Sequence, residues 1–96
     1  MLVQERQTQQ GLLVTACDRD ILGETFEDGE VSITVTEEFY GGEVADSATV
    51  IDSLARAQVA NIVGTRAVSI AIDAGIIQAT NVLEIDTTRH AQLVRL

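Results

Sequence analysis

Cys17 and His90 are the residues best suited to covalent or acid–base chemistry, and each is the only residue of its type in the chain. A cysteine is a nucleophile when a base or a positive field lowers its pKa, and a histidine can supply such a base. Asp18, however, follows Cys17 directly, and its negative charge opposes thiolate formation. Cys17 is therefore either a weak catalytic candidate or a small buried apolar residue. One Cys and one His are too few for a structural zinc site, and no metal or cofactor is expected.

The string Phe39-Tyr40-Gly41-Gly42-Glu43 holds two of the three aromatic side chains beside a glycine pair. Paired glycines let backbone amides approach a ligand closely, so Tyr40 could stack on a ring while Glu43 accepts a hydrogen bond from it. In the alternative interpretation, Phe39 anchors a loop in the core and the glycines make the turn. The string lacks the further glycines, or the Gly-Lys-Ser/Thr ending, of the nucleotide-binding fingerprints.

Gly64-Thr65-Arg66 lies at a predicted helix N-terminus, where free amides, the helix dipole and the Arg fork could hold an anion. Arg89, His90 and Arg95 form a small basic group near the C-terminus. Strand alternation places His90, Gln92 and Val94 on one face and Arg95 on the other, so this group is not one continuous patch. The alternative is that these arginines pair with carboxylates of the chain itself.

The chain contains no Lys: six Arg stand against fifteen Asp and Glu, for a net charge of −9. A mean hydropathy of +0.19 is nevertheless that of a folded protein. At about 1 M salt the Debye length is about 3 Å, so such a surface is tolerated there. The missing Lys and the negative charge therefore predict a halophilic protein. A cytoplasmic location is expected because the single Cys forms no internal disulfide and neither a signal peptide nor a membrane span is recognisable. Strong screening also means that the charge argues neither for nor against a nucleic-acid partner.

Short strands and two helices must position these residues. Leu2–Val3 and residues 11–16 predict a hairpin joined by a Gln-rich loop, and the alternation of residues 31–36 predicts a central strand. Apolar spacing predicts a helix within residues 46–60, capped at Asp46, Ser47 or Thr49, and a second over residues 65–74 ended by Gly75. Residues 82–85 and 91–96 predict a C-terminal hairpin. The expected fold is one α+β domain, residues 1–96, with a small, mostly antiparallel sheet and a two-helix hairpin packed on it.

Five ordered strings resemble an archaeal family known as domain of unknown function 424. They are Ala16-Cys17-Asp18, Leu22-Gly23-Glu24-Thr25-Phe26, Glu38-Phe39-Tyr40-Gly41-Gly42-Glu43, Ala60-Asn61-Ile62-Val63-Gly64 and His90-Ala91-Gln92. The resemblance runs from about Gly11 to Leu96. It implies a small cytoplasmic archaeal protein, and the missing lysines narrow the source to a haloarchaeon. It implies no activity, cofactor or catalytic residues, and its link to translation and RNA handling is an analogy.

The leading hypothesis is a non-enzymatic binding module, accessory to ribosome or RNA function, with RNA or a ribosome-associated protein rather than DNA as partner. Its site would use the unusual polar and glycine-bearing strings at the ends of predicted elements: Tyr40, Gly41, Gly42, Glu43, Asn61, Gly64, Arg66, Arg89 and His90. The first alternative is a small enzyme using Cys17 or His90 with Asp18 or Glu43. The second is a homo-oligomeric structural protein whose sheet edges are covered by another copy.

Overall fold

A six-stranded sheet forms the centre of the molecule. The computed structural model describes all residues from Met1 to Leu96, and its strands are β1 (Leu2–Thr8), β2 (Gly11–Cys17), β3 (Thr25–Asp28), β4 (Val31–Thr34), β5 (Glu43–Val44), β6 (Val59–Val63), β7 (Leu83–Ile85) and β8 (Thr88–Val94). The sheet order is β5-β1-β2-β6-β8-β7. Only β2 and β6 pair in parallel. The α+β class is confirmed, with a mixed rather than purely antiparallel sheet.

The N-terminal hairpin is confirmed, but its strands are longer than predicted. The Gln-rich segment expected as a loop continues β1 to Thr8, in register with all of β2. Glutamine has no strong strand preference, so the pairing with β2 decides the conformation. The turn is confined to Gln9 and Gln10.

The alternating segment expected as the central strand lies outside the main sheet. Its strand β4 pairs only with β3 in a separate two-stranded hairpin. Val31 is 45% exposed, whereas Val35, just beyond the strand, is fully buried. The predicted apolar face is thus buried at one end only, because a two-stranded hairpin has too few neighbours to cover it.

The two predicted helices are present as α2 (Ser47–Arg56) and α3 (Thr65–Asp73), but they do not form the predicted two-helix hairpin. The intervening residues form β6, an interior strand of the sheet. Asp46 caps α2, since its Oδ1 accepts a hydrogen bond from the Thr49 amide at 2.9 Å. Gly75, with φ +76°, ends α3 as predicted. The amides of Gly75 and Ile76 donate to the carbonyls of Ile72 and Ala71, the Schellman pattern.

Two apolar clusters lie on opposite faces of the sheet. The larger packs α2 and α3 on one face and contains Val14, Val50, Leu54, Ile62 and Val68 among its thirteen buried residues. The smaller lies on the other face, under a short helix α1 (Glu37–Tyr40) and the β3–β4 hairpin. Its seven buried residues are Leu2, Cys17, Phe26, Val35, Tyr40, Val63 and Ile85.

The C-terminal hairpin is confirmed, with β7 and β8 joined at Asp86 and Thr87. Asp86 adopts φ 53°, a left-handed conformation that Asp tolerates in tight turns. Two single 3-10 turns, Arg19–Ile21 and Ala79–Asn81, complete the secondary structure. No helix combines the length and hydrophobicity needed to span a bilayer.

Candidate functional site

Cys17 lies at the end of β2 with no exposed surface. Burial, reinforced by the charge of Asp18, raises the pKa of its thiol to about 11. Its Sγ faces the Tyr40 carbonyl oxygen at 3.8 Å. His90 lies two strands away across β6, about 10 Å at the usual strand spacing. Cys17 and His90 therefore do not form a nucleophile–base pair.

The Phe39–Glu43 string docks α1 on the sheet through its backbone. Four consecutive carbonyls, those of Glu38, Phe39, Tyr40 and Gly41, face polar groups of β1 and β2. Their partners are, in order, the Arg6 guanidinium, the Thr15 hydroxyl at 2.8 Å, the Cys17 thiol and the Gln4 amide. The last four carbonyls of a helix have no partner within it. Side chains of the sheet therefore complete the C-terminal end of α1.

Gly41 and Gly42 are required by close packing. A Cβ on Gly41 would collide with the Glu37 carbonyl, and one on Gly42 would collide with the Val3 carbonyl. Tyr40 is 5% exposed, and burial raises the pKa of its phenol to about 12. These residues support the structural interpretation of the string. Glu43 is exposed and lines a cavity of about 460 Å³ between β1 and α2.

The amides expected to hold an external anion are occupied. Asp18 follows β2 and reaches the start of α3, where its carboxylate accepts hydrogen bonds from the amides of Arg66 at 3.0 Å and Ala67 at 2.8 Å. Gly64, with φ +118°, provides the room, because a Cβ there would collide with the Asp18 carboxyl group. The Asp18 carboxylate thus occupies the helix N-terminal position at which an external anion was expected. The Arg66 side chain is exposed beside a cavity of about 300 Å³.

Arg89 and Arg95 pair within the molecule, with carbonyls rather than the expected carboxylates. Arg89 donates to the Thr65 carbonyl at 3.0 Å and to the Ser69 hydroxyl. Arg95 donates to the carbonyls of Leu54 and Ala57 at the C-terminal end of α2. Both arginines hold helices in place, on the opposite side of β8 from His90.

The side of the sheet opposite α2 and α3 is only partly covered by α1 and the β3–β4 hairpin. We call the uncovered part the open sheet face; strand register assigns to it Leu13, Val59, Asn61, Leu83, His90, Gln92 and Val94. None of these seven side chains is fully buried, and Val94 is 62% exposed. No Asp or Glu lies on this side in any of the six strands. The strand carboxylates Glu5, Glu43 and Glu84 face the opposite side. Glu37 and Glu38 of α1 and Glu27 and Asp28 of β3 belong to the elements that cover the rest of this side.

Asn61 and His90 are the two predicted site residues that share this face. Asn61 lies directly opposite Gln92, whose Nε2 donates to the Asn61 Oδ1 at 2.8 Å. His90 is half-buried, and burial lowers its pKa, so the imidazole is neutral at pH 7. Gln92 was not among the predicted site residues, although its position two residues after His90 indicates the same face.

The other predicted residues lie apart from this pair. Tyr40, Gly41, Gly42 and Glu43 run from the end of α1 to the start of the edge strand β5, whereas Gly64, Arg66 and Arg89 surround the start of α3. The predicted residues therefore form three groups rather than one cleft. No group of three or more His, Cys, Asp or Glu side chains is arranged to hold a metal ion.

The model of a protein family described as "Protein of unknown function (DUF424)" matches residues 5–96. The chain belongs to this family. A crystal structure of an uncharacterized conserved protein from Methanopyrus kandleri is similar, with a TM-score of 0.79 and 20% identity over 99% of this chain and 93% of that one. At this identity the similarity concerns the fold alone. A search among curated proteins finds no match.

Proposed function

We propose that this protein is a non-enzymatic binding module that binds single-stranded RNA through the open sheet face. The observation that carries the proposal is that the three carboxylates of the six strands, Glu5, Glu43 and Glu84, all face away from this side, which leaves the open sheet face itself without Asp or Glu. An ionised carboxylate has no proton to donate to a phosphate oxygen at any salt concentration, so the open sheet face is the strand surface that an RNA strand can contact at the least cost.

The side chains of the face suit unpaired bases. Sequence-specific RNA recognition uses bases that are splayed out, stacked on flat side chains and hydrogen-bonded along their edges. The neutral His90 ring offers a stacking surface, and Asn61 and Gln92 offer amide groups. At the α1 end of the same side, the Arg6 guanidinium lies 5.4 Å from the centroid of the Phe39 ring. This pair places one positive charge where a phosphate could pass.

Catalysis has weaker support. The Cys17 thiol is buried, its raised pKa keeps it protonated at pH 7, and α1 lies over it. No carboxylate lies on the strand side that carries His90, so the imidazole lacks the acidic partner that commonly orients a catalytic histidine. The enzyme hypothesis therefore stands behind the binding hypothesis.

The setting we propose is a halophilic archaeal cytoplasm, with a role accessory to translation or RNA handling. The absence of Lys and the charge of −9 support the high-salt part of this proposal. In concentrated salt the long-range repulsion between the acidic surface and RNA is screened. Direct contact at the open sheet face then decides binding.

Fluorescence anisotropy with a labelled single-stranded RNA, in buffers from 0.5 to 3 M KCl, tests the proposal. Gln92→Glu places a carboxylate at the centre of the face and should weaken binding at least about tenfold, because it opposes the phosphates and alters the amide pair. Gln78→Glu adds the same charge at an exposed position outside the sheet and should change binding less than twofold. Equal loss in both variants would contradict binding through this face.

A second copy of the chain is the competing occupant of the face. Size-exclusion chromatography in the same buffers separates the two cases. A dimer that Gln92→Glu dissociates, with no RNA binding by the wild type, would overturn the RNA proposal and favour the homo-oligomer. Tagged purification from cells in high salt, with and without ribonuclease, extends the test: RNA-dependent recovery of ribosomal proteins would support the translation role.

A further inference from the structure

Asn61 and Gln92 form a hydrogen-bonded amide pair at the centre of the open sheet face. Their strands are antiparallel and the two residues are directly opposite, so their side chains are neighbours on one face. The hydrogen bond between them is 2.8 Å long and exposed to solvent. Each primary amide carries one carbonyl oxygen and one NH₂ group.

The number of free groups does not depend on which amide is the donor, although a change of donor exchanges their positions. One hydrogen bond between two primary amides uses the NH₂ of one and the oxygen of the other. One oxygen and one NH₂ therefore have no partner from the other amide, whichever way the two groups are oriented. The two residues thus leave one acceptor and one donor free on adjacent strands.

We propose that this pair reads the hydrogen-bonding edge of an unpaired nucleobase such as adenine; the inference rests on the RNA binding proposed above. Adenine places its N6 amino donor beside an acceptor on both of its hydrogen-bonding edges, at N1 and at N7. In base recognition a single Asn or Gln amide commonly contacts adenine through its donor and its acceptor together, whereas here the free donor and the free acceptor belong to two amides. Phosphate oxygens are acceptors only, and the ribose 2′-OH is the single backbone donor, so an abasic strand distinguishes contact with the base from contact with the backbone.

The surroundings of the pair fit a flat ring. His90 and Val94 lie on either side of Gln92 on β8, each about 7 Å along the strand. His90 is half-buried and Val94 largely exposed, so a base held by the amides has an imidazole on one side and an aliphatic surface on the other. Val59 extends the aliphatic surface on the neighbouring strand.

Three RNA strands of equal length test the inference by anisotropy: oligo(A), the same strand built from purine riboside, which lacks the N6 amino group, and an abasic ribose-phosphate strand. Wild-type protein should bind oligo(A) about tenfold more tightly than the purine-riboside strand, and the abasic strand should bind most weakly. Gln92→Met removes the amide and keeps the side-chain length and charge, and should abolish the preference. Gln78→Met, the matched control, should retain it.

The outcomes separate this inference from the proposed function. Equal affinity for oligo(A) and the purine-riboside strand, with RNA binding otherwise intact, overturns the base reading alone. Tight binding of the abasic strand does the same. Failure of every strand to bind overturns both proposals. A preference that Gln92→Met leaves unchanged refutes the assignment to this amide pair.

Discussion

Replacement of Asp18 by Ala should destabilise the protein by disconnecting α3 from the end of β2. The Asp18 carboxylate accepts the amides of Arg66 and Ala67, and the N-cap residue Gly64 has no side chain that could replace it. The variant leaves two helix N-terminal amides without a protein partner. It also removes the negative charge that the helix dipole favours at this position.

The expected loss is about 2 kcal/mol. Removal of a helix cap costs about 0.5–2 kcal/mol, and a single hydrogen bond to a charged group contributes about 1.5–3 kcal/mol. Arg66 is exposed, so water can reach its amide after the substitution, and the loss stays below the sum of two charged hydrogen bonds. For a chain of this length the entropy of unfolding is about 0.2 kcal/mol per kelvin, which gives a fall in Tm of about 10 °C.

Urea and thermal unfolding, followed by circular dichroism in one KCl buffer, measure this loss. Asp20→Ala is the matched control, because it removes the same charge from an exposed side chain that makes no hydrogen bond or ion pair. Any general gain from lowering the net charge occurs in both variants, so their difference isolates the cap. A difference smaller than about 0.5 kcal/mol, the range of ordinary surface substitutions, would refute the role assigned to Asp18.

Four further outcomes are expected. Between 0.1 and 3 M KCl the Tm of the wild type should rise, because the Debye length falls below about 3 Å and repulsion among the surface carboxylates is screened; an unchanged Tm would contradict the halophilic assignment. Burial raises the pKa of Cys17 from 9.0 to about 11 and that of Tyr40 from 10.0 to about 12. Because both groups lose their protons more readily in the unfolded chain than in the folded protein, the free energy of unfolding decreases as the pH rises above the unfolded-state pKa values. The urea midpoint should therefore be constant below about pH 9 and fall as the pH rises through 11, less steeply in Cys17→Ala. A midpoint that stays constant to pH 11 would contradict this. Thr15→Val removes the hydroxyl that binds the Phe39 carbonyl and should cost about 1–3 kcal/mol in urea unfolding, whereas Thr80→Val, at an exposed position, should cost under about 0.5 kcal/mol. A thiol reagent at pH 7 should label native Cys17 at least about 100-fold more slowly than the urea-unfolded chain, since the thiol is buried and protonated; comparable rates would revive the nucleophile hypothesis.

The elements that the sequence predicts correctly are those with local signals. The capping residue Asp46, the terminating Gly75 and the C-terminal turn were all expected from residues beside them. Strand β6 was missed because nothing local ends α2 at Arg56. The end of α2 is fixed by Arg95, about 40 positions later, which binds the carbonyls of Leu54 and Ala57. A contact at that separation leaves no periodic pattern.

The candidate site likewise combines features that local sequence patterns predict with features that distant contacts determine. Alternation along β8 placed His90 and Gln92 on one face, and the structure confirms that arrangement. It could not place Asn61 beside them, because β6 itself was expected to be a connection. The composition of the glycine-bearing strings suggests a binding site. The structure instead shows that Gly42 and Gly64 are needed because a Cβ would collide with Val3 and Asp18, contacts that only the tertiary structure creates.

The backbone docking of α1 has a consequence for the order in which the molecule assembles. A helix of four residues is not stable in isolation, and the side chains that complete its C-terminal end come from both β1 and β2. The hairpin must therefore form before α1. None of the thirteen buried residues of the larger cluster belongs to α1, so we expect α1 to leave the sheet without disrupting that cluster. Cys17 lies directly under α1, so the rate at which a thiol reagent labels Cys17 under native conditions measures how often α1 leaves the sheet.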